Sequence, residues 1–170
     1  FQFDYHTAII LSQLVTPDNK GTKQAIQKLL ASEILKEPPS KDISNHIEAR
    51  LNSARAWIKS RYSPNYLRIQ LNEHVSTELV KQYDGKIRNL VLDLGKKLKK
   101  ARWTEDVIKQ EMITLKEEMG ISRKDMKLFF ELLYKIFLDN SKGPRFAPFL
   151  ASLDKDWVIN KFQELRKFIY

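Results

Sequence analysis

The feature that most constrains the fold is the apolar series Met126, Phe129, Phe130, Leu133, Tyr134, Phe137 and Leu138. Steps of three and four place all of these on one side of a 3.6-residue helix. Phenylalanines at this spacing belong to a core, so the rest of the chain must supply surfaces that cover the stripe. Ser122, with Asp125 three residues on, reads as the capping box that opens this helix.

The same period recurs along the chain. Phe3, His6, Ile9, Ile10 and Leu14 mark a first helix closed by Pro17. Thr22 is the expected N-cap of a second, with Ala25, Ile26, Leu29, Leu30 and Ile34 on its face and Pro38-Pro39 at its end. Ile43, Ile47, Leu51, Ala54, Trp57, Ile58 and Tyr62 define a third stripe, stopped by Ser63-Pro64-Asn65. Residues 66–71 alternate apolar and polar and read as extended or as a short connector. Ser76 opens a helix that Asp84-Gly85 breaks or kinks before Ile87, Leu90, Val91, Leu94 and Leu98 resume the pattern. Thr104, with Glu105 and Asp106 behind it, starts the next, and Gly120 suits its end. Trp157, Val158, Phe162, Leu165, Phe168 and Ile169 form a last helix, with Asp154 or Asp156 near its start. Only five of 170 residues are glycine, too few turn formers for a sandwich or barrel. The expectation is therefore all-α: a helical bundle of about eight helices with short loops, as one domain or as two packed lobes, residues 1–72 and 73–170.

Charge narrows the class of partner. The net charge is +9, and it is unevenly spread. Residues 44–102 carry thirteen Lys and Arg against five acids, and residues 140–170 carry six against three, while residues 1–43 are neutral and 103–139 slightly acidic. A positive field over part of a surface favours an anionic partner, nucleic acid first and a lipid surface second. Arg55 and Lys59 lie one turn apart with no acid four residues away, so they read either as a solvated helix face or as a phosphate-tracking one. Tyr62, Tyr66 and Arg68 interleave rings and cations near a proline-bounded turn, the arrangement on which unstacked bases can pile. Lys96-Lys97-Leu98-Lys99-Lys100-Ala101-Arg102 holds more cations than a helix C-terminus needs.

Near the C-terminus, Gly143-Pro144-Arg145-Phe146-Ala147-Pro148-Phe149-Leu150 makes a rigid corner behind Lys142. Pro144 suits the first turn of a helix, and Pro148 excludes a long regular helix through this point. Arg145 is then either solvated or presented to a partner.

Catalytic chemistry has no visible home. There is no cysteine, and His6, His46 and His74 are too far apart for a paired metal motif. No Gly-rich phosphate loop, GxSxG, or paired carboxylate pattern is present, so neither catalytic nor cofactor nor metal residues are assigned. No apolar run approaches a membrane span, and no signal peptide is visible. The opening at Phe1 without methionine reads as a piece of something longer. A basic helical chain without a catalytic constellation reads as a binding domain; a protein-binding scaffold and a peripheral membrane domain are the rival classes.

A set of ordered motifs adds to this. Met119-Gly120-Ile121-Ser122-Arg123-Lys124, then Leu128-Phe129-Phe130-Glu131-Leu132-Leu133-Tyr134, then Gly143-Pro144-Arg145 with its apolar helix through Leu153 and Val158, resemble the end of a class I lysyl-tRNA synthetase. Ala56-Trp57-Ile58 to Tyr62-Ser63-Pro64 matches a second recurring piece of that family. The likeness is close from about residue 100 onward and loose but collinear before it. It implies a cage-like anticodon-binding region following a Rossmann catalytic domain, the parent attaching lysine to its tRNA with ATP. The HIGH-like and KMSKS-like signatures that handle ATP are absent here, so the resemblance implies that this piece is inactive alone. The related helical cage of glutamyl-tRNA synthetases is the alternative. The implied partner is the anticodon loop of lysine tRNA, with no membrane, a monomeric state and a cytoplasmic location expected. Arg55, Lys59, Arg61, Tyr62, Tyr66, Arg68, Lys142 and Arg145 are the expected RNA-binding residues, and of these the family motif carries Arg145 alone.

Overall fold

Short polar side chains set where the helices begin. In the computed structural model, which describes residues 3–168, the carboxylates of Asp4, Asp18, Asp84 and Asp154 and the hydroxyls of Ser40, Ser76, Thr104 and Ser122 each accept from an otherwise unpaired N–H of a first helical turn. The elements that follow are α1 (Tyr5–Leu14), α2 (Asn19–Ala31), α3 (Lys41–Lys59), α4 (Thr77–Lys81), α5 (Gly85–Lys100), α6 (Glu105–Met119), α7 (Arg123–Leu138), α8 (Phe146–Ala151) and α9 (Lys155–Arg166), with a 3-10 turn at Asn65–Leu67. The described residues are thus all-α, as their periodicity predicts, with nine α-helices rather than about eight. None is long and apolar enough to cross a membrane, and among the described residues no cluster of three His, Asp or Glu could hold a metal.

Several boundaries move from the sequence reading. α2 starts at Asp18, not Thr22, because the Asp18 carboxylate takes both the Gly21 N–H at 2.8 Å and the Thr16 hydroxyl at 2.6 Å. Thr22 is already buried inside the helix. α2 ends at Ala31, well before Pro38-Pro39. Glu33 enters the left-handed region at φ 59° and the Leu35 N–H closes onto the Leu29 carbonyl at 2.9 Å. Ile34 therefore lies in the turn rather than on the helix. α3 stops at Lys59, so Tyr62 leaves the stripe it was expected to join and is 73% exposed. Ile169 lies outside the described residues.

Two apolar clusters form. The first gathers Ile9, Leu11, Leu29, Ile47, Leu51, Ala54, Ile58 and Leu67 from α1, α2, α3 and the 3-10 turn, with Phe3 from the segment before α1. The second is larger and holds the predicted α7 stripe together with α5, α6, α8 and α9. Phe137 is its centre, with the rings of Phe146, Phe149, Trp157 and Phe162 within 6.5 Å of its own, mostly edge-on or tilted as aromatic quadrupoles prefer. Ile10 of α1 reaches into this second cluster. Polar ties join the clusters as well: Lys28 Nζ donates to the Ser152 carbonyl at 3.0 Å, and Arg102 pairs with Glu33.

The corner at Gly143-Pro144-Arg145 differs in one respect from its sequence reading. α8 begins at Phe146 with Arg145 as N-cap, so Pro144 stands outside the helix. Its carbonyl is taken by the Tyr134 hydroxyl, which donates at 2.6 Å, while the Arg145 carbonyl accepts the first α8 bond, from Phe149. Pro148 sits in the first turn of α8, where a missing N–H leaves nothing unpaired. Gly143 is required for contact: a Cβ there would lie 2.7 Å from both Tyr134 and Leu138 side-chain carbons.

Burial pushes the Tyr134 phenol up to about 12. Its unfolded value is about 10, so the folded state keeps this proton longer as pH rises. The stabilisation is complete below about pH 10 and is lost as pH climbs toward the folded value. Tyr134→Phe is expected to cost about 1 kcal/mol at neutral pH, the net worth of one hydrogen bond, and to remove that part of the alkaline decline. Urea titrations at neutral and alkaline pH check both; an unchanged alkaline slope in the variant contradicts the assignment.

Candidate nucleic-acid interface

The segment between α3 and α4 has little regular structure, yet it is held at both ends. Ser63 is buried and its hydroxyl donates to the Ile58 carbonyl at 2.7 Å, which turns the chain sharply after α3. Leu67 is buried in the first cluster. The Gln13 side chain of α1 then grips the connector: its amide N–H donates to the Leu67 carbonyl at 2.9 Å and its oxygen accepts the Ile69 N–H at 2.8 Å. Three residues on, the Asn72 N–H donates to the Phe137 carbonyl at 2.8 Å and its side-chain amide to the Lys135 carbonyl at 2.7 Å. Lys161, 2% exposed, donates to the Glu73 carbonyl and places its ammonium 5.2 Å from the Trp157 ring centre. Backbone groups that would otherwise be orphaned are thereby satisfied by side chains from α1 and α9 and by backbone carbonyls at the end of α7. The side chains of Tyr62, Tyr66 and Arg68 point outward from a fixed ribbon.

Tyr62 is 73% and Tyr66 44% exposed, high values for rings that size. Arg61 lies across Tyr62, its guanidinium 5.0 Å from the ring centre and one nitrogen 2.8 Å from the hydroxyl. That stacked pair offers a flat aromatic face backed by a cation. Arg68 opens onto a polar cleft of about 310 Å³ that it shares with Gln70, Asp139 and Asn140. The cleft lies between the connector and the C-terminal end of α7, where Asp139 turns left-handed at φ 52°. The Lys142 N–H donates to the Asn140 side chain, which places exposed Lys142 just beyond the cleft. The structure therefore brings Arg68 together with the segment that leads to Lys142, across some 70 residues of chain.

The other expected contacts separate from this group. Lys59 is exposed on α3, but its neighbour Arg55 is engaged elsewhere. The Arg55 guanidinium donates to the carbonyls of Ser12 at 3.1 Å and Thr16 at 3.0 Å and to the Asn52 side chain at 2.8 Å. Burial lowers its pKa, against the opposing pull of Asp18 and Glu48. Arg55 is a clamp on the carbonyl end of α1, not one half of an open cationic face with Lys59. Arg50 on the same helix lies over the rings of Phe3 and Tyr5, at 5.6 and 5.7 Å. Arg145 is exposed and lines a different cleft, of about 450 Å³, with Met112, Met126, Phe130 and Glu105. Burial raises the Glu105 pKa, which Lys109 and Arg145 partly offset.

Sequence reasoning missed the residues that make the ribbon rigid. Gln13 sits on a helix that looks chemically uninformative, and Lys161 falls within an apolar pattern where a lysine reads as solvated. Only the tertiary position of their partners reveals either role. Gln70 and Asn140, polar residues on loop segments flanking Arg68 and Lys142, are the ones composition alone could have raised.

No family model matches the chain. It is, however, similar to curated lysine–tRNA ligases over nearly its whole length, and the sequence-level resemblance is borne out. It is 26% identical over 163 residues to the lysine–tRNA ligase of Thermococcus kodakarensis, a match covering 95% of this chain and 29% of that protein. To the lysine–tRNA ligase of Aeropyrum pernix it is 23% identical over 164 residues, covering 96% and 29%. A shorter match to the lysine–tRNA ligase of Borreliella burgdorferi, 30% identical over 108 residues, covers 63% and 20%. The chain thus spans less than a third of the length of these relatives.

Proposed function

We propose, from this kinship with lysine–tRNA ligases, that the chain is the C-terminal anticodon-binding region of a class I lysine–tRNA ligase and holds the anticodon stem-loop of lysine tRNA. The observation that carries the reading is the fixed ribbon with outward rings and cations beside a polar cleft, in a chain of this ancestry. Tyr62 and Tyr66 supply faces on which unstacked bases lie, and base–aromatic stacking is worth about 1–3 kcal/mol per base. Arg68, Gln70 and Asn140 offer donors and acceptors to a base edge, and Lys59, Arg61 and Lys142 neutralise phosphates nearby. Arg145 contributes from its separate cleft. Attachment of lysine to tRNA with ATP would fall to the rest of the parent protein, and this region would raise the parent's selectivity for its tRNA. A cytoplasmic location and a monomeric state fit that role. The equivalent region of a glutamyl-tRNA synthetase has weaker support, since each of the relatives above is a lysine–tRNA ligase.

Tyr66→Ala is expected to weaken binding of lysine tRNA about tenfold or more without changing the salt dependence, because a ring carries no charge. Arg68→Gln is expected to weaken it and to narrow the difference between cognate and anticodon-altered tRNA. Fluorescence anisotropy across a salt series reads both. If both variants bind as the wild type does, the ribbon is not the interface.

A further inference from the structure

The lysine-rich end of α5 does something different from what its sequence suggests. Of the cations in residues 96–102, Lys96 pairs with Asp93 at 2.8 Å, Lys97 with Glu118 at 2.8 Å, and Arg102 with Glu33. The carbonyl of Ala101, just past the end of α5, already accepts from Lys155 Nζ at 2.7 Å. Lys99 and Lys100 are left exposed, and no ion pair reaches them among the described residues. The fold then adds a third cation that the sequence places 66 positions away: Arg166, in the last turn of α9, lines the same trench of about 430 Å³.

We propose that this trench between α5 and α9 is a phosphate track that takes the backbone of an RNA stem, a second contact separate from the aromatic ribbon. It rests on the reading of the chain as a tRNA-binding region and names a further part of its surface. Two observations point to phosphates: exposed Lys99, Lys100 and Arg166 converge on one trench, and its floor offers no open ring. The floor is closed: Phe162 is 3% and Ile159 8% exposed, and the Phe162 ring is packed so tightly on Gly95 that a Cβ there would stand 2.7 Å from it. No ring is offered for base stacking, so the track is indifferent to sequence. What remains is a row of cations spaced along two helix ends, which is the chemistry of backbone recognition.

The test is the triple variant Lys99→Gln, Lys100→Gln, Arg166→Gln in the full chain, with binding measured across a salt series to lysine tRNA and to the same tRNA with its anticodon altered. The expected result is a loss of at least about tenfold at low salt, equal for both RNAs, with the slope of log K against log salt shallower by about 2 to 3 units. Thermal unfolding of the variant should match the wild type, since all three side chains are exposed. Wild-type binding that the triple variant reproduces in affinity and slope overturns the track while leaving the ribbon intact. A wild-type chain that binds neither RNA overturns both. A loss confined to one anticodon overturns the track and returns these residues to base reading.

Discussion

Phe137→Ala is expected to remove about 3–5 kcal/mol of stability, the range for truncating a fully buried ring whose surroundings relax only in part. Phe137 is 0% exposed and touches the rings of α8 and α9 at once, so no single neighbour can move in to fill the space. The effect should reach the proposed interface. The Phe137 carbonyl accepts the Asn72 N–H, and this end of α7 forms one wall of the Arg68 cleft. Urea unfolding followed by circular dichroism reads the first effect, and backbone amide exchange at residues 68–73 reads the second. A loss below about 1 kcal/mol would mean that the second cluster is not organised around this ring.

Gly21→Ala is the second large effect. An alanine Cβ at this position would stand 1.7 Å from the Thr16 carbonyl oxygen, and the obstacle is backbone, which cannot rotate aside. The first turn of α2 would have to swing away from the α1 corner, and the Asp18 cap and the Arg55 clamp on Thr16 would loosen together. Overpacking typically costs about 1–3 kcal/mol, and an obstacle of backbone atoms puts this one at the upper end, about 3 kcal/mol. Gly120→Ala is the informative control. Gly120 is left-handed at φ 53° with nothing within 4 Å of a built Cβ, so its cost is conformational only, about 1 kcal/mol. Equal destabilisation of the two variants by denaturant titration would contradict the close approach at Gly21.

How much of this was legible beforehand depends on how local the cause is. The α7 stripe, the Ser122 cap and the Gly120 stop are set within one or two turns of chain, and they appear where the periodicity and capping rules put them. The start of α2 was misplaced because Asp18 and Thr22 are both capping residues, and the choice turns on a hydroxyl at Thr16. Its end was misplaced because Glu33, an ordinary residue, occupies a conformation that usually calls for glycine.

The candidate site divides in the same way. Exposed rings and cations around Pro64 were readable from composition. The rigidity that makes them useful comes from Gln13, Asn72 and Lys161, whose partners lie 54 to 88 positions away. Arg55 shows the reverse: local spacing paired it with Lys59 on an open face, but the nearest unsatisfied groups were the carbonyls ending α1. A buried acceptor close at hand holds an arginine more firmly than solvent does.

The proposed anticodon recognition requires that the chain distinguish one anticodon from another. The most direct measurement is the affinity of the wild-type chain for lysine tRNA and for the same tRNA with its anticodon replaced, at one fixed salt concentration. Base-edge contacts of the kind assigned to the Arg68 cleft predict a preference for the native anticodon of about 1–3 kcal/mol, roughly five- to 150-fold. Equal affinity for the two would contradict anticodon recognition and leave only backbone binding.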